Sequence, residues 1–347
     1  MTSSPTSART SPHEPSAVFA RRALAELQRL APDAELPGIE ILDRPPAVRA
    51  TRLLAAADGW WALTLARPSD LELVPAVICS ELDGRDEWHA IESWASPRRA
   101  SDAVDRCQLL GIAAAALPSG SPDEQLVARG TQLGSASRPR VEVSRSRQPV
   151  VVDLSSLWAG PLAGHLLELT GAEVIKVESP QRPDGMRLGS PGHYQDLNAG
   201  KLFVELDLAA PSGRSALLDL FDSADVVIES SRPRALQQLG IDASSIVASR
   251  PGLTWVSITA YGRTGPWSNR VGFGDDVAAA AGLVSYGPHG VPAFAGDALA
   301  DPLAGVHAAA AALASFHGGG GELVDVAMRE VALAARLAWG GELRASA

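Results

Sequence analysis

The sequence of 347 residues predicts an α/β protein with a doubly wound, Rossmann-like parallel sheet and a second, smaller α+β domain. Two observations support this. From residue 149 onward, short apolar segments of strand length alternate with segments of helical character, which is typical of a parallel sheet covered on both faces. Before that point the pattern is irregular, and a polar stretch rich in Ser, Gly, Pro and Arg separates the two parts.

The second part carries the regular pattern. The predicted strands are Val150–Leu154, Glu173–Val177, Phe203–Leu206, Asp225–Glu229, Leu253–Ile258 and Glu322–Val326. The predicted helices are Leu162–Thr170, Gly213–Ser223, Asp242–Ser249, Asp276–Gly282 and Pro302–Phe316. Right-handed crossovers between such strands produce a doubly wound sheet.

Composition divides the chain into four regions. Residues 1–15 are rich in Ser, Thr and Pro and predict a disordered tail. Residues 16–117 predict the small domain, 118–148 a linker, and 149–347 the Rossmann-like domain. Within the small domain we expect three elements: a helix over Ala17–Leu30, a strand over Gly59–Leu65 and a helix over Ala100–Ala116.

Charge and cysteine content limit the classes of function. The formal net charge of −10 argues against nucleic acid or a membrane surface as the main partner. The longest apolar stretch, Leu303–Phe316, is too short to span a bilayer. Two cysteines and no secretory leader predict a cytoplasmic protein. Of the 30 basic residues only Lys176 and Lys201 are lysines, which we interpret as genome composition.

Neither NAD nor a metal is expected. The first strand of the regular part is followed by Ser-Ser-Leu-Trp-Ala-Gly-Pro, whereas the dinucleotide fingerprint requires Gly-x-Gly-x-x-Gly. The histidines of this part, at positions 165, 193, 289, 307 and 317, show no spacing typical of metal ligands.

The most informative segment is residues 150–179, which read as a strand, a loop of small residues, a helix and a second strand. It contains Ala159-Gly160-Pro161 and then Gly171-Ala172-Glu173-Val174-Ile175-Lys176-Val177-Glu178. Further motifs follow in order: Asn198–Lys201 with Leu206-Asp207-Leu208, Ala224–Glu229 with Arg232-Pro233, Val256–Gly262, Ala300–Gly305 and Gly321–Met328. Together these motifs resemble the class III CoA-transferases of the CaiB/BaiF type, which include formyl-CoA and carnitine-CoA transferases.

The resemblance also covers the first part of the chain, in a changed order. Asp58–Leu63, Glu87-Trp88 and Leu110–Ala114 are similar to the small-domain segment that follows the core in ordinary family members. The chain therefore resembles a family member whose small domain precedes the Rossmann-like domain. A second interpretation is one half of a longer architecture that a partner chain completes.

The resemblance implies that Asp301 is the catalytic nucleophile. In the family an aspartate at this position attacks the thioester and forms a mixed anhydride, which CoA thiolate converts to an aspartyl-CoA thioester. From the residues alone, Asp301 followed by Pro302 is also an ordinary N-cap and N1 pair. The two roles are compatible, because a helix N-terminus favours a carboxylate.

The resemblance also implies a set of CoA contacts, several of which differ from the family pattern. The residues that match are Ser156, Trp158, Ala159, Gly160, Ser179, Leu206, Ser230, Ser231 and Arg232. Trp158 replaces a family glutamine, Ser179 a frequent arginine, and Ser230-Ser231 the common Asn-Phe. Serine cannot pair with phosphate as arginine does, so Arg182, Arg187, Arg232 and Arg234 are candidate substitutes.

The leading hypothesis is therefore an enzyme that moves CoA between an acyl-CoA and a carboxylic acid through a covalent aspartyl intermediate. CoA would be its only cofactor. The alternative is a non-catalytic or half-site subunit that binds acyl-CoA and requires a partner chain. An acyl-CoA racemase is disfavoured, because Gly274-Asp275-Asp276 lacks the histidine of that branch. Since family members form interlocked dimers, we expect a homodimer.

Overall fold

A computed structural model of the protein describes residues 14–42, 50–118 and 147–345. The predicted tail lies outside these ranges except for residues 14 and 15, and the predicted linker lies outside them except for residues 118, 147 and 148. The fold class is confirmed: a six-stranded parallel sheet with flanking helices is accompanied by a small antiparallel sheet.

The first part of the chain forms the antiparallel sheet. Helix α1 (Glu14–Leu30) and a short 3₁₀ turn (Ile39–Leu42) precede three strands, β1 (Thr51–Ala56), β2 (Gly59–Thr64) and β3 (Ala113–Ala116), ordered β1-β2-β3. Between β2 and β3 lie α2 (Pro68–Glu72), α3 (Val74–Ile78), α4 (Glu87–Ala95) and α5 (Ala100–Leu109). Strands and helices enclose a core that includes Trp61, Leu63, Ile91 and Cys107.

One helix predicted in this part is wrong in extent. Residues Ala100–Ala116 were expected to form a single helix, but α5 ends at Leu109 and residues 113–116 pair with β2 as an edge strand. The break occurs because Gly111 adopts a φ of 77°, a left-handed conformation that ends helices. Four consecutive alanines have high helix propensity, so only their pairing with β2 makes them a strand.

The second part forms the parallel sheet. Its strands are β4 (Val150–Asp153), β5 (Glu173–Glu178), β6 (Leu202–Glu205), β7 (Val226–Glu229), β8 (Thr254–Thr259) and β11 (Glu322–Ala327). The short strands β9 (Val284–Tyr286) and β10 (Pro292–Phe294) form a separate hairpin. The helices are α6 (Ala159–Leu169), α7 (Met186–Gly189), α8 (Pro191–Leu197), α9 (Pro211–Ser223), α10 (Pro233–Gln238), α11 (Ala243–Ser249), α12 (Gly274–Ala280), α13 (Ala300–His317) and α14 (Met328–Ala345).

The strand order of the large sheet is β11-β8-β7-β4-β5-β6, and every neighbouring pair is parallel. The chain therefore begins at β4 in the middle, moves to one edge through β5 and β6, and returns to build the other half. This is the strand order of the Rossmann fold, in which ligands bind where the order reverses, at the carboxyl ends of the first and fourth strands. Here those strands are β4 and β7.

Apolar helices cover both faces of this sheet. Helices α6, α12, α13 and α14 bury one face, with Leu166 and Leu303 in its core. Helices α9 to α11 cover the other face, where Phe221 packs edge-on against Trp255 with ring centroids 5.2 Å apart. Although α1 belongs to the first part of the chain, it packs on α13 and α14, and Ala20 and Leu27 complete the core of the large sheet.

The pair α6 and α13 makes the most extensive helix contact in the described structure. Each helix starts at the carboxyl edge of the sheet, because each leads into the beginning of a parallel strand. Gly305 permits their close approach: a Cβ at this position would lie 2.7 Å from the carbonyl oxygen of Ala159 and 3.0 Å from Leu162. The starts of α6 and α13 are therefore held side by side.

No helix in the described ranges combines the length and apolarity needed to cross a membrane.

We predict that Gly305→Ala destabilises the protein through this contact. The added methyl group forces α13 away from α6, and overpacking of this kind costs about 1–3 kcal/mol. The matched control is Gly192→Ala in α8, where a Cβ would meet nothing within 4 Å. The free energies of unfolding of both variants are measured in urea, and their difference cancels the gain in helix propensity that the two substitutions share. Equal unfolding free energies for the two variants would contradict the prediction that a methyl group at position 305 disrupts the contact between α6 and α13.

Candidate active site

The residues predicted to contact CoA follow four neighbouring strands of the sheet. Ser156 comes after β4, Ser179 after β5, Leu206 after β6, and residues 230–232 after β7. Because parallel strands have their carboxyl ends at the same edge, all these residues lie along that edge. The backbone N–H of Ser156 donates to Ser230 Oγ at 3.2 Å, which joins the ends of β4 and β7 at the point where the strand order reverses.

In the segment that connects β4 to α6, residues 155–161, side chains accept the backbone N–H groups of the first three residues. Ser155 N donates to Asp153 Oδ1 at 2.9 Å, and Leu157 N donates to the Asp184 carboxylate at 3.0 and 3.1 Å. Pro161 has no N–H group. The amides of Ala159 and Gly160 have no acceptor among the described residues and stand at the start of an 11-residue helix. These two donors are the ones free to receive a ligand oxygen.

The backbone path of this segment requires a glycine at one position and a left-handed backbone conformation at a leucine. A Cβ on Gly160 would overlap the Ser155 side chain, so only glycine fits there. Leu157 has a φ of 70°, which costs a non-glycine residue about 1 kcal/mol or more. The two hydrogen bonds to Asp184 hold it in that conformation. Trp158 is buried and packs edge-on against His193 with ring centroids 4.9 Å apart.

Three buried charges lie beneath the segment. Lys201 Nζ is 2.9 Å from Asp153 Oδ2, and Lys176 Nζ is 3.8 Å from Asp153 Oδ1. Burial by itself raises the pKa of Asp153, but the two lysine charges and a hydrogen bond from Ser155 outweigh it and lower the pKa to about 2. For Lys201 burial is the stronger effect, and it lowers the pKa of the amine.

Asp301 lies in the first turn of α13, on the same helix face as Gly305 and one turn before it. It is therefore about 6 Å along the helix axis from the contact with Ala159. Its carboxylate packs against Gly274 at the start of α12, where a Cβ would overlap both Asp301 Oδ2 and the Ala298 carbonyl. The N-cap interpretation of Asp301 is wrong: the cap is Leu299, and no side chain caps the helix.

Two more carboxylates, Asp275 and Asp276, follow Gly274 in the first turn of α12. Asp275 Oδ1 accepts a hydrogen bond from Ala298 N at 2.8 Å, which fixes the turn that leads into α13. Asp276 Oδ1 accepts hydrogen bonds from Phe273 N and from Thr64 Oγ1, both at 2.9 Å. Thr64 ends β2, so the small sheet is attached to α12, whose first residue, Gly274, packs against Asp301. Burial, assisted by the charge of Asp275, raises the pKa of Asp276 to about 7.

Positive charge collects around Arg232, the N-cap residue of α10. Burial lowers its pKa, and the nearby guanidinium groups of Arg234, Arg67 and Arg182 lower it further. Among the described residues, Arg182, Arg232 and Arg234 have no carboxylate partner. Four cations that repel one another at the ligand edge of a Rossmann-like sheet favour a polyanion. Arg187, also considered as a substitute, is paired with Glu178 at 2.9 Å.

Three of the expected CoA contacts either have a partner within the protein or carry no polar side-chain group. Ser179 Oγ donates to Gln181 Oε1 at 2.7 Å, so its hydroxyl is engaged in the local turn. The side chain of Leu206 packs against the core on the α9 face and offers no polar group. Ser231 donates its N–H to the buried Glu229, which is paired with Arg263 at 3.1 Å.

Four residues of the site were not predicted from the sequence. Asp153 and Asp184 hold the segment 155–161, and Thr64 and Arg67 reach the site from the small sheet. For Asp153 a signal was present, because an acidic residue at the end of an otherwise apolar strand indicates a buried charge with a partner. Asp184 lies in the loop after β5 and carried no such signal. Thr64 and Arg67 carried none. Within the described ranges no group of three or more acidic, His or Cys side chains is arranged to hold a metal ion.

The fold and the site define an α/β protein whose ligand edge combines cations, free helix-start amides and a carboxylate. The model of CoA-transferase family III matches residues 147–340, more than half of the sequence, and the chain belongs to that family.

Curated relatives are similar over the same part of the chain. Succinate–glutarate CoA-transferase of Agrobacterium fabrum is 34% identical over 52% of this chain and 50% of its own length. The probable fatty acyl-CoA transferase Rv3272 of Mycobacterium tuberculosis is 36% identical over 53% of this chain and 50% of its own. The chain thus spans about half the length of the curated relatives it matches. A crystal structure of Rv3272 superposes with a TM-score of 0.51 at 35% identity, over 56% of this chain and 57% of that one.

We predict that Asp276 makes stability depend on pH near neutrality. With a pKa of about 7 when folded and about 3.9 when unfolded, the folded protein holds an extra proton between these values. Its unfolding free energy therefore falls as pH rises through this window, by at most about 1.4 kcal/mol per pH unit from this group.

Asp276→Asn removes this contribution while it keeps the Oδ1 acceptor for Phe273 and Thr64. Denaturant unfolding at pH 5, 6, 7 and 8 should show the variant gaining on the wild type as pH rises to 7, with little further gain above it. Parallel curves for the two proteins would show that Asp276 does not titrate in this range.

Proposed function

We propose that this protein transfers CoA between an acyl-CoA thioester and a carboxylic acid, with Asp301 as the covalent nucleophile. The observation that carries the proposal is the placement of Asp301 beside the start of α6. Because Gly305 brings α13 against Ala159, the Asp301 carboxylate and the amides of Ala159 and Gly160 lie at neighbouring helix starts on the ligand edge.

The chemistry needs one carboxylate and a site for negative charge. Asp301 attacks the thioester carbonyl, and the tetrahedral oxyanion collapses to a mixed anhydride with release of CoA thiolate. The thiolate attacks the aspartyl carbonyl, releases the donor acid and leaves an aspartyl-CoA thioester. The acceptor carboxylate attacks that thioester to form a second anhydride and thiolate. The thiolate then attacks the acceptor's acyl carbonyl, which forms the new acyl-CoA and restores Asp301.

The amides of Ala159 and Gly160 suit the oxyanions of these steps. Backbone donors fixed at a helix start need no reorganisation during the reaction, and removal of one such donor typically costs 10²–10³-fold in rate. They also make a side-chain donor at position 158 unnecessary, which fits the replacement of the family glutamine by Trp158. The buried indole packs against His193 instead.

The cationic cluster suits the phosphates of CoA. Arg232 and Arg234 follow β7, and Arg182 follows β5. They have no carboxylate partner in the described part of the chain, and an anionic ligand would relieve their mutual repulsion. They supply the charge that Ser179 and Ser230 cannot. The Ser230 hydroxyl instead accepts a hydrogen bond from the Ser156 amide, which joins the ends of β4 and β7.

We predict that Asp301→Asn lowers the rate of CoA transfer by several orders of magnitude, because the amide is not a nucleophile. Succinyl-CoA with glutarate is the first pair to test, since a relative is named for these acids. Wild type incubated with acyl-CoA and hydroxylamine should lose activity, with a hydroxamate at Asp301 seen by mass spectrometry.

The matched control is Asp219→Asn on the exposed side of α9, which should retain activity and hydroxylamine sensitivity. Near-normal transfer by Asp301→Asn would rule out the nucleophile. If wild type binds acyl-CoA but transfers CoA to none of a panel of dicarboxylic and fatty acids, the chain is instead a binding subunit that needs a partner. The chain spans only half of its relatives, which is the observation that favours this second function.

We further propose that the protein is a homodimer, because the resemblance implies a family architecture in which two chains complete each other. Light scattering coupled to size exclusion should give about twice the chain mass of 36.1 kDa at micromolar concentration. A monomer under these conditions, with full transferase activity, would contradict the dimer.

A further inference from the structure

Both lysines of this chain are buried at the same carboxylate. The chain uses arginine for its other 28 basic residues, yet Lys176 and Lys201 both have fully buried side chains at Asp153. Genome composition explains why lysine is rare, but it does not explain why the two that remain converge on one buried site. Buried charge is costly unless it is fully paired and hydrogen-bonded, so a specific use is required.

The geometry at Lys201 shows why arginine does not replace it. Its Nζ lies 2.9 Å from Asp153 Oδ2, 2.8 Å from the Pro161 carbonyl and 3.0 Å from Asn198 Oδ1. An ammonium group has three donors, and here each has one acceptor. A planar guanidinium cannot direct its donors to three points around one atom. Gly164 leaves the space, since a Cβ there would lie 3.0 Å from both Lys201 Nζ and Asp153 Oδ2.

The three charges hold both ends of the segment 155–161. At its start, Lys176 Nζ donates to the Ser155 carbonyl, and Asp153 accepts both the N–H and the hydroxyl of Ser155. At its end, Lys201 holds the carbonyl of Pro161 in the first turn of α6. The amides of Ala159 and Gly160 lie between these two attachments.

We propose that Asp153, Lys176 and Lys201 form a positioning network that sets the direction of the Ala159 and Gly160 amides toward the reacting thioester. This inference rests on the proposed function. The lysines touch no substrate; they act through the backbone that carries the donors. A misplacement of about 1 Å at a reacting centre can cost 10²-fold in rate, so a fixed attachment at both ends has a direct effect on turnover.

The test is Lys201→Met, which keeps the length of the side chain and removes its donors. We expect kcat for CoA transfer to fall roughly 10- to 100-fold, while the Kd for free CoA, measured by calorimetry, changes less than threefold. The control is Leu217→Ala, a buried residue of α9 on the opposite face of the sheet. It lowers stability without touching the segment and should keep kcat per folded molecule.

A readout that needs no activity separates this proposal from the proposed function. Hydrogen exchange of peptides that cover residues 155–161 should accelerate at least tenfold in Lys201→Met and stay unchanged in Leu217→Ala. Unchanged exchange, unchanged kcat, or a Kd that rises as much as kcat falls would overturn the network. Accelerated exchange with an inactive wild type would overturn the proposed function, and with it the catalytic purpose of the network.

If Lys201→Met does not fold, Asn198→Ala serves as the second variant. It removes one acceptor of Lys201 Nζ and leaves the buried ion pairs with Asp153 intact. We then expect a three- to tenfold loss of kcat with the Kd for CoA retained. Loss of neither kcat nor exchange protection in this variant would also overturn the network.

Discussion

The parallel direction of all six strands of the large sheet is the constraint on which the site depends. It places every carboxyl end at one edge, so residues far apart in the chain, such as Ser156 and Ser230, become neighbours. Because the chain enters this sheet at β4 and returns to it at β7, the strand order reverses between these two strands, which is where Rossmann-type sheets bind ligands. Helices that lead into parallel strands also begin at this edge, which brings the start of α13 and its Asp301 to the same place as the start of α6.

The site separates its charges by depth. Asp153 and the two lysines lie in the interior, where each charge is paired and the network holds the backbone in one arrangement. Arg182, Arg232 and Arg234 lie nearer the solvent, and no carboxylate of the described residues pairs with them, so their charge is available to a ligand. This division agrees with the physical rule that a buried charge requires a partner, whereas water can stabilise an exposed charge until an anion binds. It also shows how a protein with a net charge of −10 can present a local cluster of positive charge to an anion.

The small sheet contributes more to the site than a separate unit would. Thr64 at the end of β2 donates to Asp276 in the first turn of α12, and Arg67 adds charge near Arg232. Gln108 of α5 bonds the backbone of Val271 just before α12, which reinforces the same contact. Helix α1 is on the first part of the chain and yet covers the large sheet. The two parts are therefore joined by direct contacts next to the candidate site, even though the sequence pattern separates them.

The sequence by itself determined the sheet. All six parallel strands were predicted to within one residue at each end, because apolar runs bounded by turn residues depend on local pattern alone. The resemblance to the family singled out Asp301 and the segment 155–161, and their catalytic role stays a prediction. The tertiary structure decided the features that depend on contacts between residues far apart in the sequence. Ala113–Ala116 became a strand because β2 offers hydrogen-bond partners, and Asp301 stands inside the first turn of α13 because the helix begins two residues earlier than expected. The convergence of Lys176 and Lys201 on Asp153 likewise depends on contacts between residues 23 to 48 positions apart, which no window of sequence contains.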